Sequence, residues 1–303
     1  MSIFNKNKNK VKQGFSDDAF NTILVIIATI ILVLVLYPII YIVSSSFSSG
    51  NAVTSGRVLL WPVQFCVDGY EIVFQNSAVW SGYANTIMYT LLGSALHLIM
   101  TILIAYPLSR RNYQARNLLT TIFMVPMFFG GGLIPTYILV SNLGLVDTRL
   151  WMVITGAVGT SHIIIMRTFF QSSIPNDLLE SAKLDGITDI GYLLKIVIPL
   201  SKASISVILL YAMVDKWNSY FTPMLYLTDR GKYPLQLILR EILSASQIDT
   251  STFSDSAAIA KLASAYDTMK YALIVVSTVP MLVLYPFVQK FFEKGVMMGS
   301  IKG

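Results

Sequence analysis

Polar side chains recur along one apolar segment at positions that share a face of a helix. Tyr211 is followed at intervals of four, three and four residues by Asp215, Asn218 and Thr222. Hydroxyl, amide and carboxylate groups in this arrangement can hydrogen-bond a hydroxyl-rich solute such as a sugar, and aromatic rings can pack on its apolar face. We therefore expect six residues to line a solute path: Tyr211, Asp215, Trp217, Asn218, Tyr220 and Thr222.

A second group of candidate residues lies in a polar segment between two apolar runs. Asp177 and Glu180 follow Pro175 closely, and acidic side chains favour the first turn of a helix. Gly186 suits the left-handed conformation that ends a helix, and Pro199 interrupts the stretch that follows. The pattern predicts a rigid elbow of two short helices joined at the glycine. The residues predicted to share one side of its second helix are Ile190, Leu193, Leu194 and Val197.

The composition places these residues in a membrane protein. Of 303 residues, 54% are hydrophobic and only 13% are charged, whereas soluble domains average about 25% charged residues. The single cysteine, Cys66, excludes an internal disulfide and a cysteine-based metal cluster. His97 and His162 stand alone in the sequence without metal-ligand spacing, and we interpret them as packing residues. The sequence therefore predicts an all-α, polytopic membrane protein.

Six apolar runs have the length of a membrane-spanning helix. At about 1.5 Å per residue, each run roughly matches a hydrocarbon layer of about 30 Å. The third run contains Pro126, three successive glycines and Pro135, so we expect a kinked or interrupted helix. Such a helix either lines a cavity or packs closely through its small residues. The predicted spans are 22–43, 86–108, 118–140, 150–166, 203–227 and 271–288.

The fifth run carries the polar stripe together with two ions, Asp215 and Lys216. A charge at the bilayer centre costs about 2.5–3.5 kcal/mol on insertion scales, so these groups should face the bundle or a wet cavity. In the alternative interpretation, the aromatic residues form an interfacial belt and the ions bond to neighbouring backbone.

Lys and Arg residues are shared unevenly between the two sides of the predicted bundle. Of the 22, 14 lie in the N-terminus, the 109–117 loop, the 167–202 segment and the C-terminal tail. The positive-inside rule then puts both termini in the cytoplasm. The net charge of +6 is thus a topology signal, and no compact basic face with aromatics points to nucleic acid. We predict a cytoplasmic segment at 1–20, a transmembrane domain at 21–293 with a cytoplasmic loop at 171–200 and an external loop at 228–269, and a cytoplasmic tail at 294–303.

The elbow resembles a known motif. Glu180-Ser-Ala182 is followed after three residues by Gly186 and, after nine more, by Ile196-Val-Ile-Pro199. This is similar to the coupling motif of ABC importer permeases, which reads Glu-Ala-Ala, three residues, Gly, nine residues, Ile-x-Leu-Pro. Serine replaces the middle alanine here, and isoleucine replaces the leucine. Four further stretches resemble the maltose-permease-like, carbohydrate-uptake branch: residues 133–137, 142–147, 217–223 and 294–303.

The resemblance implies a permease subunit with the six-helix, type I ABC importer fold, embedded in the lipid of a bacterial cytoplasmic membrane. It implies import of an oligosaccharide or another complex sugar, and it implies partners: a second homologous permease, two ATPase subunits that bind ATP and Mg²⁺, and an extracytoplasmic solute-binding protein. The chain has no Gly-x₄-Gly-Lys-Ser/Thr loop, so we expect neither enzyme activity nor a bound cofactor. The implied ATPase-coupling residues are Glu180, Ser181, Ala182, Asp185, Gly186, Ile196 and Pro199.

Other classes remain open on the residues alone. A self-contained secondary transporter or channel usually shows internal repeats, ions in several spans or a filter loop, and only one span here carries ions. An intramembrane hydrolase needs a nucleophile and a base, and no such constellation stands out.

The external loop is predicted to contain an amphipathic helix over 234–243, with Leu235, Leu239 and Leu243 on one face. A second helix is predicted to begin near Ala257. The resemblance implies that this loop and the 48–83 loop contact the binding protein, and a solvated cap is the alternative.

Overall fold

The computed structural model describes residues 15–245 and 266–286. Their regular secondary structure is helical, apart from an isolated antiparallel bridge between Ser48 and Phe65. The predicted N-terminal segment up to residue 14, the helix near Ala257 and the tail at 294–303 lie outside the described residues. The α-helices are α1 (Phe15–Ser46), α2 (Gly50–Thr54), α3 (Asp68–Gln75), α4 (Ser77–Ser109), α5 (Arg116–Phe128), α6 (Leu133–Asn142), α7 (Arg149–Ile154), α8 (Thr160–Ser173), α9 (Asn176–Leu184), α10 (Asp189–Tyr192), α11 (Ile198–Leu200), α12 (Lys202–Trp217), α13 (Phe221–Tyr226), α14 (Leu235–Ala245) and α15 (Tyr266–Pro286).

Three of the described helices are long and apolar enough to cross a membrane singly: Ala19–Ser46, Ser77–Ser109 and Tyr266–Pro286. Two bent pairs qualify when each pair is taken as one span, namely α5 with α6, and Asp189–Leu200 with α12. The fourth predicted span, 150–166, is divided between α7 and α8. The prediction of an all-helical, multi-span protein is confirmed, and its third, fourth and fifth spans are interrupted rather than continuous.

The third predicted span breaks where proline and glycine cluster. α5 and α6 meet at an angle of 113°, and Gly132 between them has a φ of +82°, which favours glycine. A Cβ added at Gly130 or Gly131 would meet no atom within 4 Å. The predicted interruption is therefore present, whereas these glycines do not serve close helix packing within the described residues.

The described residues divide into two compact units, one formed by 15–70 and 266–275 and the other by 71–245 and 276–286. In the first unit, serine hydroxyls fix the turn after α1. Ser44 Oγ donates to the Leu60 carbonyl at 2.6 Å, and Ser48 Oγ donates to the Ser44 carbonyl at 2.6 Å. Ser48 Oγ also accepts from the Val63 N–H at 3.0 Å, so the returning chain is tied to the helix end.

In the second unit, α4 is the central helix and packs against both α12 and α8. Small side chains allow helices to approach closely in a membrane. At Gly93 the approach is so close that an added Cβ would lie 2.7 Å from Lys216 Cε of α12. The buried face of α4 is accordingly rich in small and polar residues, among them Asn85, Thr86, Thr90, Gly93, Ser94, His97 and Thr101.

The segment before α14 is tied to α4 in the same unit. Asn85 Nδ2 donates to the Gly231 carbonyl at 2.9 Å, and the Tyr89 hydroxyl donates to the Lys232 carbonyl at 2.9 Å. The predicted amphipathic helix is present as α14. Of the predicted face, Leu235 is fully buried and Leu239 and Leu243 are half-buried, and Leu237 and Ile238 are buried as well.

A hydrogen-bonded ion pair holds the same segment from the other side. Lys232 Nζ donates to Asp147 Oδ2 at 2.9 Å, and the N–H groups of Thr228 and Asp229 each donate to Asp147 Oδ1 at 3.1 Å. The bond from Lys232, followed by those two N–H groups, lowers the pKa of the Asp147 carboxyl from 3.8 to about 2.

The lowered pKa predicts an acid-sensitive contact. A carboxyl group whose pKa is depressed in the folded state stabilises it above the unfolded value of 3.8, and this contribution is lost as pH falls through about 2. The wild-type melting temperature should therefore fall across that window. Asp147→Asn should be less stable than wild type at neutral pH, and its melting temperature should fall less than that of wild type on acidification. Thermal unfolding in detergent, followed by tryptophan fluorescence, measures both effects.

Glu71→Gln removes an exposed carboxylate on α3 and serves as the control, which should keep the wild-type pH dependence. If the melting temperature of Asp147→Asn falls with pH in parallel with that of wild type, the acid sensitivity does not come from the Asp147 carboxylate.

Candidate functional site

The first arm of the elbow, α9, ends at Gly186 in a Schellman motif. Gly186 has a φ of +74°. The Ile187 N–H donates to the Ala182 carbonyl at 2.9 Å, and the Gly186 N–H donates to the Lys183 carbonyl at 3.1 Å. These bonds satisfy carbonyls that the helix leaves open and turn the chain at a defined angle. The predicted helix–glycine–helix shape is present.

The second arm contains a π-helical turn. Thr188 caps α10 by accepting the Gly191 N–H on its Oγ1 at 3.2 Å. In the following turn, Leu193–Val197, the Ile198 N–H bonds back to the Leu193 carbonyl. Pro199 lacks an N–H, and its ring crowds the carbonyl four residues earlier, which the wider turn accommodates. The second arm then meets α12 at 82°.

Burial divides four apolar side chains of the second arm into two pairs. Leu193 and Val197 are buried, but Ile190 is 71% exposed and Leu194 is 57% exposed. The prediction that these four share one side was wrong, because only Leu193 and Val197 face the core, whereas Ile190 and Leu194 lie on the outer side of the arm. Leu184, at the end of α9, is 90% exposed, so the elbow presents several large apolar side chains on its surface, among them Leu184, Ile190 and Leu194.

The inner side of the elbow packs into a core with α4 and α8. Ala182 and Tyr192 are buried in that core. The Tyr106 hydroxyl, near the end of α4, donates to the Asp189 carbonyl at 3.2 Å. The Arg110 guanidinium lies 4.5 Å from the ring centre of Tyr106 and 4.9 Å from that of Tyr192. The elbow is thus packed firmly against α4 and α8 and is not a loosely attached loop.

The predicted coupling residues divide by burial. Ala182 is buried and Ile196 is half-buried, which makes both part of the elbow's packing. The remaining five are exposed on this chain and available to a partner: Glu180, Ser181, Asp185, Gly186 and Pro199.

The polar stripe does not lie on one helix. α12 ends at Trp217, so the predicted continuous helix over 203–227 is wrong, and Thr222 lies in α13. Tyr211, Asp215 and Asn218 are exposed on the surface of the chain, and Thr222 is half-buried. These residues therefore form a polar surface built from the end of α12 and the start of α13.

Two aromatic residues predicted for the path are placed differently from each other. Trp217 is 3% exposed, and its Nε1–H donates to the Ser277 carbonyl at 3.0 Å. Its ring packs 6.4 Å from that of Tyr83, so Trp217 belongs to the internal packing and does not reach the polar surface. Tyr220 is exposed, with the Arg240 guanidinium 4.9 Å from its ring centre.

Lys216 turns inward from the polar surface. Its Nζ donates to the carbonyls of Met152, Val153 and Thr155 at 2.8, 3.3 and 2.6 Å. These carbonyls lie at the C-terminal end of α7, where helical carbonyls have no intrahelical partner and attract a cation. Lys216 thus bonds to backbone, as the alternative interpretation predicted, while Asp215 beside it is exposed.

The structure brings the two histidines together behind this surface. His97 Nε2 lies 2.8 Å from His162 Nδ1, and His97 Nδ1 lies 2.8 Å from the Gly156 carbonyl. Because a carbonyl only accepts, this geometry assigns a proton to His97 Nδ1, and in the neutral pair His97 Nε2 accepts from His162. The His162 ring stacks on Tyr211 with centroids 5.8 Å apart. The sequence interpretation of separate packing residues missed this pair, which has no local sequence signal.

The contacts of Lys216 predict a stability difference between neighbouring residues. Lys216→Met removes three hydrogen bonds from a charged donor and should cost about 2 kcal/mol or more. Asp215→Asn changes an exposed group one residue away and should alter stability by about 0.5 kcal/mol or less. Chemical unfolding of the detergent-solubilised protein distinguishes the two variants. Equal stabilities would contradict the role of Lys216 in holding the end of α7.

Comparison with known proteins places this architecture in a family. The family model described as "Binding-protein-dependent transport system inner membrane component" matches residues 97–298. The polygalacturonan/rhamnogalacturonan transport system permease protein YtcP of Bacillus subtilis (strain 168) is 38% identical over 269 residues, which cover 88% of this chain and 92% of the relative.

Two solved structures are similar to this chain. A bacterial ABC transporter involved in the import of the acidic polysaccharide alginate matches with a TM-score of 0.84 and 36% identity, over 92% of this chain and 99% of the other. A bacterial alginate ABC transporter in complex with alginate pentasaccharide-bound periplasmic protein matches in fold, with a TM-score of 0.59 and 17% identity, over 89% and 92% of the chains. A self-contained channel or secondary transporter does not fit a binding-protein-dependent family. The chain belongs to the binding-protein-dependent transport system inner membrane components, and it is a multi-pass permease subunit with the type I ABC importer fold.

Proposed function

We propose that this chain forms half of the membrane path of an ATP-driven importer for complex oligosaccharides, with uronate-rich chains as the preferred class. The support is that relatives at 38% and 36% identity, each matched over nearly the whole chain, are named for polygalacturonan and alginate, both polymers of acidic sugars. We assign the other half of the path to a second homologous permease, and delivery of the sugar to an extracytoplasmic solute-binding protein.

ATP hydrolysis is assigned to two separate ATPase subunits that hold ATP and Mg²⁺, so this chain transports without being an enzyme. We place both termini and the elbow in the cytoplasm of a bacterial cell. The excess of Lys and Arg in the elbow segment and the loops on its side supports this orientation. We assign contact with the binding protein to the 48–83 and 228–269 loops.

The observation that carries the proposal is the surface of the elbow. Leu184, Ile190 and Leu194 are exposed large apolar residues on a rigid element, beside the exposed carboxylates of Glu180 and Asp185. Clustered apolar exposure with a polar rim marks an interaction site. Burying such a side chain against a partner contributes roughly 1.5–3 kcal/mol. We propose that each ATPase covers one such elbow.

We propose that the polar surface of Tyr211, Asp215 and Asn218 faces the second permease across the sugar path. An exposed carboxylate within an apolar span does not suit lipid, because its insertion costs about 2.5–3.5 kcal/mol. Hydroxyl, carboxylate and amide groups all bond sugar hydroxyls. Trp217 is left out of this surface because it is buried in the chain's own packing.

Elbow variants test the coupling role. Glu180→Lys should abolish sugar uptake in proteoliposomes of the full assembly, because it reverses a charge at the proposed ATPase contact, while membrane insertion stays normal. At Gly186 an added Cβ meets nothing within 4 Å, so any loss there comes from backbone strain at positive φ. Gly186→Asn should therefore keep more uptake than Gly186→Val, since asparagine tolerates this conformation better.

Asp18→Lys makes the same charge reversal at the start of α1, outside the elbow and outside the loops assigned to the binding protein, and should leave uptake unchanged. Normal uptake with Glu180→Lys, at normal expression, would remove the coupling assignment.

Variants of the polar surface test the path. Asp215→Ala and Asn218→Ala should each raise the KM for uptake about three- to tenfold, the effect expected from losing one hydrogen bond to substrate. ATPase stimulation by the loaded binding protein should persist. Uptake of labelled oligogalacturonides and of neutral oligosaccharides is measured side by side.

Ser206→Ala, a change of a hydroxyl nearer the elbow on α12 whose Oγ bonds to the Lys202 carbonyl, is the matched control. Unchanged KM values in both path variants would favour a purely structural role for this surface.

A further inference from the structure

Four arginines line a cavity of about 200 Å³ beside the elbow. They come from separate elements, because Arg110 and Arg111 follow α4, Arg116 begins α5 and Arg167 lies on α8. Asn176, the first residue of α9, also lines the cavity, together with Gln171. None of the lining residues that the structure describes is acidic.

The arginines of this cavity are not paired with carboxylates. In residues 15–245 and 266–286, none of the four arginines lies within salt-bridge distance of a carboxylate. Nε and Nη2 of Arg110 are buried without a hydrogen-bond partner. Hydrogen-bond donors buried without an acceptor are costly, so Arg110, with three further arginines lining the same cavity, favours an anion that accepts several hydrogen bonds.

The donors are arranged for such an anion. Arg167 is oriented by its Nε–H, which donates to the Leu108 carbonyl at 3.0 Å and leaves the ends of the guanidinium for other acceptors. Arginine forks bind phosphate oxygens bidentately. The cavity also adjoins the N-terminus of α9, a helix of nine residues whose dipole favours negative charge there.

A neighbouring groove shows the difference that lining charge makes. It has a volume of about 490 Å³ and contains the carboxylates of Glu180 and Asp189 as well as basic side chains. Its mixed charge gives no preference for an anion. Arg110, Arg111 and Asn176 line both spaces, and the smaller cavity differs in that all of its charged lining residues are basic.

We propose that this cavity binds the phosphate group of an anionic phospholipid from the cytoplasmic leaflet. Basic pockets at the cytoplasmic ends of membrane helices suit anionic headgroups, and this cavity lies where α4 ends and α5 begins. The choice of leaflet rests on the proposed cytoplasmic orientation of the elbow. A headgroup bound here contacts the α4–α5 turn, α8 and α9 together, so it stabilises the packing of the elbow against these helices.

Native mass spectrometry of the importer assembly in detergent tests the site with phosphatidylglycerol, phosphatidylcholine and inorganic phosphate as probes. Phosphatidylglycerol should bind tightly, and Arg111→Gln with Arg116→Gln should weaken it about 25-fold, or roughly fivefold for each arginine. Arg167→Gln alone should weaken it about fivefold. Arg57→Gln in the first unit removes one positive charge, as Arg167→Gln does. It is the control and should bind phosphatidylglycerol as tightly as wild type.

Phosphatidylcholine binding as tight as that of phosphatidylglycerol, or no effect of the pocket variants, would overturn the proposal. If inorganic phosphate at equal concentration displaces phosphatidylglycerol completely, the proposal that the bound phosphate group belongs to a lipid would be overturned. Lipid binding is measured in detergent, where no transport takes place. A failure of the lipid proposal is therefore distinguishable from a failure of the proposed import function.

Discussion

The buried seam between the elbow and the ends of α4 and α8 is the contact on which the rest of this structure depends. Ala182 and Tyr192 fill the seam, and the Arg110 guanidinium lies over the aromatic rings at its edge. A close-packed contact of this kind does not deform continuously, so the elements it joins move together. The Schellman turn at Gly186 then fixes the angle between the arms. A partner that pulls on the exposed side of α9 therefore moves helices and not merely a loop.

The same core extends from the elbow into the membrane. Ile208 of α12 belongs to it together with Tyr192 and Val197 of the second arm. α12 begins directly after the elbow and runs for 16 residues, or about 24 Å, to the polar surface around Asp215. α12 thus connects the second arm of the elbow, which it meets at 82°, to the proposed sugar path. Displacement at the elbow reaches the path without a relay of small conformational changes, which is how rigid-body switching differs from a side-chain pathway.

The sequence predicted the features that depend on local conformation and missed those that depend on packing. The turn at Gly186 and the break after Pro126 follow from backbone preferences of glycine and proline, and both are present. The end of α12 at Trp217 was missed because the span was predicted from its apolar character and length, although Asn218 and Pro223 disfavour a continuous helix. The outward side chains of Ile190 and Leu194 were missed because an apolar repeat does not show which of its members α4 and α8 will cover. The His97–His162 bond joins residues 65 positions apart, and no short-range pattern encodes it.

The adjacent charges Asp215 and Lys216 explain why this chain is incomplete by itself. Neighbouring residues on a helix point in different directions, and here the lysine turns inward to the carbonyls of α7, while the aspartate is exposed. The inward charge is compensated by backbone at the gap between α7 and α8, so the divided span is stabilised from within. The outward carboxylate has no such compensation in a hydrocarbon layer, where a charge costs about 2.5–3.5 kcal/mol. A second polar surface or a water-filled path must therefore lie against the Asp215 carboxylate, and the cost of exposing this charge to lipid favours assembly with a partner.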